Sequence, residues 1–478
     1  MSETVKTDIC VIGGGSGGLS VAAGAAQMGA DVVLVEGGKM GGDCLNYGCV
    51  PSKALLAAAA HAHHGDVASF GLTGGQKRVS FSKVMAHVRD VIAGIAPMDS
   101  VERFSQLGVR VIEAYGRFTG PRTLAAGDVT IQAKRFVIAT GSSALLPPVR
   151  GLDKTPYLTN ETVFDLTAQP EHLLVIGGGP IGMELAQAFN RLGSEVSVIE
   201  AGTCLGREDP EISRFVTDRL AAEGVQIHAK TQIRSVSYAP RSRKAKVTIE
   251  TTRGKISGSH VLVATGRRAN IDRLELDKAG VELTGADHAP HIKTDARLRT
   301  TNKRIFAIGD VRGGPQFTHA AGYDAGIVIR NILFFLPAKA DYRALPRVTY
   351  TAPELAQVGL TEAEARQQFS DVKCLRWPFA ENDRARAERD ETGMVKIVTT
   401  GGGRILGAAM VGKNAGDLLA PWTLALTQGL SISAMAGTVA PYPTRGEAGK
   451  RAAGDYFTPS LFSHRTRKIV RALAALRW

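Results

Sequence analysis

Cysteine is scarce in this chain, with five residues among 478. So few in that length do not make the disulfide framework of a secreted protein, and a reducing cytosol is expected. Long hydrophobic runs are absent as well. No window reaches about 18 uninterrupted apolar residues, so no transmembrane helix is expected. Asp8 interrupts the first apolar strand, so no signal peptide is expected there. Aromatic residues amount to 6%, and no aromatic-interleaved basic module marks a nucleic-acid binder. Acid is the scarcer charge: 45 Asp and Glu stand against 58 Lys and Arg, a formal charge of +13. That excess reads as a generally basic solvated surface, suited to anionic nucleotides. The length predicts two to four domains with ample core. What is abundant is glycine, 54 residues, much of it in turn motifs.

Two of the five cysteines, Cys44 and Cys49, share one stretch, Gly41-Gly42-Asp43-Cys44-Leu45-Asn46-Tyr47-Gly48-Cys49-Val50-Pro51-Ser52-Lys53. A regular helix would set their Cα atoms beyond ~7 Å, too far for a disulfide, so a bridge needs a distorted turn. Gly48 makes such a turn easier. The pair is either a working dithiol or a chance pair of core cysteines.

The surroundings carry nucleotide-binding signatures. Asp8 to Ile12 reads as a buried strand, Gly13-Gly14-Gly15-Ser16-Gly17-Gly18 as a phosphate-binding turn, Leu19 to Met28 as a helix, and Asp31 to Glu36 as a strand ending in an acid. Gly13, Gly15 and Gly18 let backbone N–H groups approach a pyrophosphate, and Glu36 suits ribose hydroxyls. The unit recurs. His172 to Ile176 leads into a turn with Gly177, Gly179 and Gly182, a helix follows through Leu192, and a strand ends at Glu200. Two dinucleotide folds imply two dinucleotides facing one another. Matching strand ends at Thr140-Gly141 and Thr265-Gly266 return the chain to each nucleotide. Asp310 follows the apolar strand from Arg304, where a buried acid needs a partner such as a polyol chain.

With these motifs in order from about Asp8 to Phe457, the chain resembles the pyridine nucleotide–disulfide oxidoreductases, which include lipoamide dehydrogenase, glutathione reductase and mercuric reductase. The resemblance implies an α/β protein with two Rossmann-like domains and a C-terminal α+β interface (dimerisation) domain, acting as a homodimer. The boundaries expected are 1–150 and 271–345 for FAD, 151–270 for NAD(P), 346–462 for the interface, and a tail, 463–478. It implies that NAD(P)H gives hydride to the flavin, with Cys49 as the thiolate beside it and Cys44 as the thiol that meets the acceptor. Lys53 and Glu184 match the family's lysine–acid pair. Cofactor contacts are further implied at Gly42, Gly116, Thr140, Gly141, Asp310, His319, Ala320 and Gly266. Lys53, one turn after Cys49, and Pro51 at an early helical position both favour a thiolate of low pKa.

Glu200 is placed to bind the ribose hydroxyls of NAD and repel the phosphate of NADP, so NADH is expected; Arg207 nearby offsets this in part. The family's acceptor site carries His-Pro-Thr and a later Glu, the histidine being the acid/base. Here the stretch is Pro441-Tyr442-Pro443-Thr444-Arg445-Gly446-Glu447. Tyrosine, with a pKa of ~10, is a poor base near neutral pH. Tyr442 and Glu447, with the segments Glu184–Ser194 and Arg207–Pro210, resemble mercuric reductase. The absence of any cysteine after Cys374 departs from it, and Pro443 and Glu200 lean toward lipoamide dehydrogenase. The acceptor expected is a thiophilic metal ion or a small disulfide; dihydrolipoyl dehydrogenase activity or quinone reduction at a membrane are the alternatives.

Other residues are set aside. Of His61, His63 and His64, only the first and last share a helical face, and no resident metal site is expected. Cys10 reads as core; Cys204 and Cys374 have no partner at motif spacing. In the tail, Ile469, Val470, Leu473 and Leu476 recur at helical spacing against five basic residues, no acid and a terminal Trp478. It reads as a basic amphipathic helix, packed on its own dimer or lying on an anionic membrane surface.

Overall fold

The computed structural model describes residues 3–63, 70, 78–240 and 246–476. His64, Arg477 and Trp478 lie outside the described residues. The chain forms two compact units. The first comprises residues 1–177, 188–199 and 231–341; the second comprises 178–187, 200–230 and 342–478.

The first unit is built on a mixed sheet, parallel through most of its width and antiparallel at one edge. Strand β1 (Glu3–Ile12) is followed by helix α1 (Ser16–Gln27), strand β2 (Val32–Glu36), and helices α2 (Gly42–Asn46) and α3 (Cys49–Ala62). Strands β3 (Val109–Glu113), β4 (Gly116–Gly120), β5 (Thr123–Ala126) and β6 (Val129–Ile138) complete it in the order β3-β2-β1-β6-β5-β4. The strand Ile305–Ala307 pairs in parallel with β6 at Phe136–Ile138. Both sheet faces are apolar because helices and loops cover them: Ile9 and Val11 pack with Leu19 and Ala22 of α1, while Cys10 and Ile12 pack with Phe118, Leu124 and Phe136. Near-continuous burial of β1 and β2 is what a doubly covered parallel sheet requires. The register pairs Ile12 with both Val35 and Ile138. The strands therefore end together, and their carboxyl ends carry Gly13, Glu36, Thr140 and Asp310, where open α/β sheets bind ligands.

The same unit holds a second parallel arrangement. After β7 (Ser142–Ala144) come the strands β8 (His172–Ile176) and β9 (Glu195–Ile199); residues 178–187 between them belong to the second unit. β8 pairs in parallel with β9 and with the strand His260–Val263. Both glycine turns solve one steric problem in one way. Gly13 and Gly177 have φ of +108° and +110°, and a Cβ on either would lie 2.4 Å from Ala139 O or 2.3 Å from Ala264 O. Only glycine fits that crossing.

The second unit carries a five-stranded antiparallel sheet, ordered Arg347–Thr349, Glu354–Gly359, Ile405–Gly412, Met394–Thr400, Val372–Pro378. Its core joins Ala356, Ile397 and Met410 of the strands to Trp422, Ala448 and Ala452 of the helices. The architecture is two Rossmann-like folds and an α+β domain. Among the described residues, no helix is long and apolar enough to cross a membrane.

Candidate active site

The two motif cysteines sit on either side of a break in the helix. Cys44 lies in α2 and Cys49 opens α3, with Tyr47 and Gly48 non-helical between them. A Cβ on Gly48 would stand 2.9 Å from Asp43 Oδ2 and 3.1 Å from Asp43 O, so the break closes tightly only with glycine. It brings the two sulfurs near enough for each to act on the other's ionisation. The Cys49 sulfur also meets the Thr318 hydroxyl at 3.3 Å. Hydrogen bonding from Cys44 is the main reason the Cys49 thiol is held down at about 6; burial opposes it, and Thr318 and the Lys53 charge assist. The same bond, followed by burial, pushes Cys44 well above the ordinary thiol range. The pair therefore gives up one proton from Cys49 and keeps the other on Cys44, a nucleophilic thiolate beside a thiol. Lys53 Nζ lies 3.3 Å from the Ser52 hydroxyl and donates to it.

This turn is joined to the first glycine turn. Gly41 N–H donates to Gly14 O at 2.9 Å, and Gly42, with φ +58°, approaches Gly15 so closely that a Cβ would be 2.7 Å from its Cα. Helix α1 starts after Gly15 with no side-chain cap, leaving its first N–H groups to an anion. Glu36 accepts from the N–H groups of Gly14 and Gly38. Asp310, its carboxyl raised by burial, accepts the Ser142 hydroxyl at 2.6 Å. Thr140 donates to Asn270 O at 2.7 Å and precedes Gly141. His319 stacks on Phe317, and Ala320 is buried in the same helix, Thr318–Leu333. Gly116 packs against Leu124 and Val35. A bare helix N-terminus with carboxylates at two strand ends fits a dinucleotide such as FAD.

The second turn repeats the pattern. The Glu200 carboxylate accepts the N–H groups of Gly178 and Gly202, both at 2.7 Å. Gly179 has open space where a Cβ would be, Gly266 has φ +139°, and Gly182 lies in the helix Pro180–Arg191. Cys204 packs against Gly178, and burial, with Glu200 adding to it, pushes its thiol up to about 11. Glu184 is buried and accepts Tyr350 N–H at 2.9 Å. Arg207 is exposed, and its charge acts on Glu208.

In the second unit, Tyr442 is 68% exposed and donates its hydroxyl to Asp383 Oδ2 at 2.9 Å. That bond raises the phenol further above neutral pH. Glu447 accepts from Arg451 Nε at 2.9 Å and Nη2 at 2.7 Å.

Sequence reasoning missed Thr318, Asn160, Arg267 and Asp383, all partners far away in the chain with no local spacing to mark them. Cys10 is buried as expected. Among the described residues no group of three or more His, Cys, Asp or Glu could hold a metal ion, and His61 bonds Ala57 O at 2.8 Å.

Comparison with known proteins agrees with this geometry. The pyridine nucleotide-disulphide oxidoreductase family matches residues 7–325, and its dimerisation domain matches residues 345–453. A mercuric reductase of Streptomyces lividans is 36% identical over 454 residues, 93% of this chain and 95% of that protein. A dihydrolipoyl dehydrogenase of Bacillus subtilis (strain 168) is 33% identical over 464 residues, covering 94% and 96%. Among solved structures, the Cu(II) complex of the HOCl-induced flavoprotein disulfide reductase RclA from Escherichia coli matches with a TM-score of 0.83 at 26% identity, over 93% of this chain and 99% of that one.

Proposed function

Because this chain belongs to the pyridine nucleotide-disulphide oxidoreductase family, and so is an FAD-dependent oxidoreductase using a pyridine nucleotide, we propose that it passes electrons from NADH through Cys44 and Cys49 to a thiophilic metal ion or a small disulfide. FAD on residues 1–150 and 271–345 supplies the two-electron relay between nicotinamide and thiols. Residues 151–270 bind the nicotinamide nucleotide, and 346–462 form the interface of a homodimer, which the matched dimerisation domain supports.

The observation that carries this reading is the asymmetry of the two sulfurs. Cys49 ionises at about 6 while Cys44 keeps its proton. Two electrons and two protons open a Cys44–Cys49 disulfide to two thiols. Delivery reverses this. A disulfide acceptor takes both electrons and both protons and becomes two thiols. Alternatively, two Cu(II) ions become two Cu(I), and the protons go to water. Neighbouring thiol sulfurs suit soft metal ions.

Tyr442 favours the metal-ion acceptor over lipoamide. A phenol bonded to Asp383 and ionising above neutral pH donates a hydrogen bond but is a poor general base. The Cu(II) complex in the RclA structure makes cupric ion a probe to set beside mercuric ion. For the donor, the Glu200 carboxylate at the glycine turn would repel a 2′-phosphate, which supports NADH.

A second feature favours a peripheral membrane location. The helix His464–Ala475 lies beyond the matched dimerisation domain. Leu461, Phe462, Ile469, Val470, Leu473 and Leu476 are each at least half exposed. Around the helix, Arg467, Lys468 and Arg471 fall opposite the apolar stripe, Arg465 flanks it, and no acid interrupts them. Such a helix lies in an anionic interface.

Steady-state turnover with cupric ion, mercuric ion, dihydrolipoamide and quinone tests the acceptor. Turnover with a metal ion or disulfide that is lost in Cys44→Ala supports the proposal; turnover with quinone alone, unchanged in Cys44→Ala, overturns it. Sedimentation with vesicles of phosphatidylcholine plus phosphatidylglycerol tests the tail. Pelleting that persists after deletion of residues 463–478, or none at all, overturns its role.

A further inference from the structure

A largely buried chain of polar side chains lies beside the thiols. The tight turn Thr159–Thr162 is held by its own hydroxyls: Thr159 N–H donates to Thr162 Oγ1 at 3.0 Å and Glu161 N–H to Thr159 Oγ1 at 3.2 Å. Leu158 anchors it to the strand His260–Val263 through Leu158 N–H to Val261 O and Val263 N–H to Leu158 O, both 2.8 Å. The turn presents Asn160, 6% exposed. Its side-chain amide donates to Asp43 Oδ1 at 2.9 Å and to Tyr47 O at 3.3 Å. Asp43 precedes Cys44, and Tyr47 is the first residue of the helix break before Cys49, so one amide ties α2 to the start of the break. The other carboxylate oxygen of Asp43 faces Gly48, 2.9 Å from where a Cβ there would stand.

Arg267 completes the chain. Its Nη2 is 3.2 Å from Asp43 Oδ1 and its Nε is 3.6 Å from Asp310 Oδ2. The same guanidinium donates to Ser142 Oγ and Ser142 O, both at 2.7 Å. With its side chain only 11% exposed, this cation compensates two carboxylates that would otherwise be costly so close together. Helix α2 has five residues, too few to hold its own geometry by helical hydrogen bonds. The position of Cys44 relative to Cys49 must therefore be fixed from outside.

We propose that Asn160, Asp43 and Arg267 form a polar clasp that sets the geometry of the Cys44–Cys49 pair and ties it to Asp310 in the cofactor cradle. The three are positioning residues for the dithiol chemistry, and the inference rests on that reading of the cysteines. Asp43 acts on Cys49 in two opposing ways. Its negative charge works against the Cys49 thiolate. The geometry it helps to hold lets Cys44 donate to Cys49, which favours the thiolate more strongly. Removing the charge and breaking the clasp should thus move the Cys49 proton in opposite directions.

The test uses FAD-loaded protein reduced anaerobically with one equivalent of NADH. The long-wavelength absorbance of a thiolate beside oxidised flavin is followed against pH. The rate of Cys49 alkylation by iodoacetamide, read by mass spectrometry, is followed in the same samples. The wild-type midpoint should fall near 6. Asn160→Ala should raise it by about one unit or more, toward the ~8.5 of an ordinary thiol. Asp43→Asn keeps the acceptor for Asn160 and Arg267 and loses the charge, so its midpoint should stay or fall. Asn160→Ser, a gentler truncation, should show the same rise as Asn160→Ala if the latter does not fold. An unmoved midpoint in whichever Asn160 variant folds overturns the clasp. A wild type without the band overturns the dithiol reading itself, so the two failures are distinct.

Discussion

The Cys49 sulfur lies 3.3 Å from the Thr318 hydroxyl, although 269 residues of chain separate them. Cys49 is the first residue of α3, and Thr318 is the first of the helix Thr318–Leu333. Two helix N-termini therefore converge on one sulfur, and each favours negative charge there. Thr318→Val removes the hydroxyl and keeps the shape. A hydrogen bond to a charged group is worth roughly 1.5–3 kcal/mol, so the Cys49 midpoint should rise by about one to two pH units. Alkylation of Cys49 against pH reads this directly; an unmoved midpoint would remove Thr318 from the account.

Glu200 accepts two glycine N–H groups at the end of β9. Glu200→Gln keeps an acceptor there and removes the charge that would repel a 2′-phosphate. The ratio of kcat/KM for NADH to that for NADPH should fall by about tenfold, equivalent to ~1.4 kcal/mol. An unchanged ratio would exclude Glu200 as the selector.

Tyr442 stands on Asp383, where a base is wanted for lipoamide chemistry. Tyr442→His should raise turnover with dihydrolipoamide by about 100-fold or more, the usual worth of a positioned acid/base. The wild-type profile should show no ionisation of Tyr442 near neutral pH, because the Asp383 bond raises its pKa. A Tyr442→His protein no faster with dihydrolipoamide would mean that something other than the missing base limits that reaction.

Lys396 is a stability element of the second unit. Its side chain is 4% exposed and lies 2.8 Å from Asp209, 2.8 Å from Glu211 and 2.9 Å from Glu362. Burial opposes its charge, yet the three carboxylates outweigh burial and hold it up at about 12. Burial likewise opposes ionisation of Glu362, but Lys396 and Arg366 bring it down to about 2. The depressed acid contributes stability above its unfolded pKa of ~4.3, lost as pH falls toward 2. The raised amine contributes below its unfolded pKa of ~10.4, lost as pH rises through about 12. Stability from this cluster should therefore be flat from about pH 5 to 10. Lys396→Ala should cost roughly 3–5 kcal/mol, because the buried Asp209 is left without its cation, whereas Glu211 and Glu362 keep Arg376. Urea unfolding across that window measures both.

The sequence displayed the local devices and hid the distant ones. Both glycine turns and their terminal acids were legible because a dinucleotide fold needs Gly13 or Gly177, a helix start and Glu36 or Glu200 within about 30 residues. The need for a distorted turn at Gly48 followed from helix geometry alone. Asn160 and Arg267 were not legible: nothing near either residue points to Asp43, and only the folded sheet brings the three together. Asp383 was hidden from Tyr442 for the same reason. The tail was readable as an amphipathic helix because its period is local, and the helix His464–Ala475 forms there.

The central claim, that electrons pass through Cys44 and Cys49, is tested most directly by anaerobic titration of the FAD-loaded protein with NADH, followed by visible absorbance. The expected result at the two-electron stage is a long-wavelength band from the Cys49 thiolate beside oxidised flavin, forming with a midpoint near pH 6 and missing in Cys49→Ser. Direct bleaching of the flavin by the first equivalent, with no such band at any pH, would contradict it.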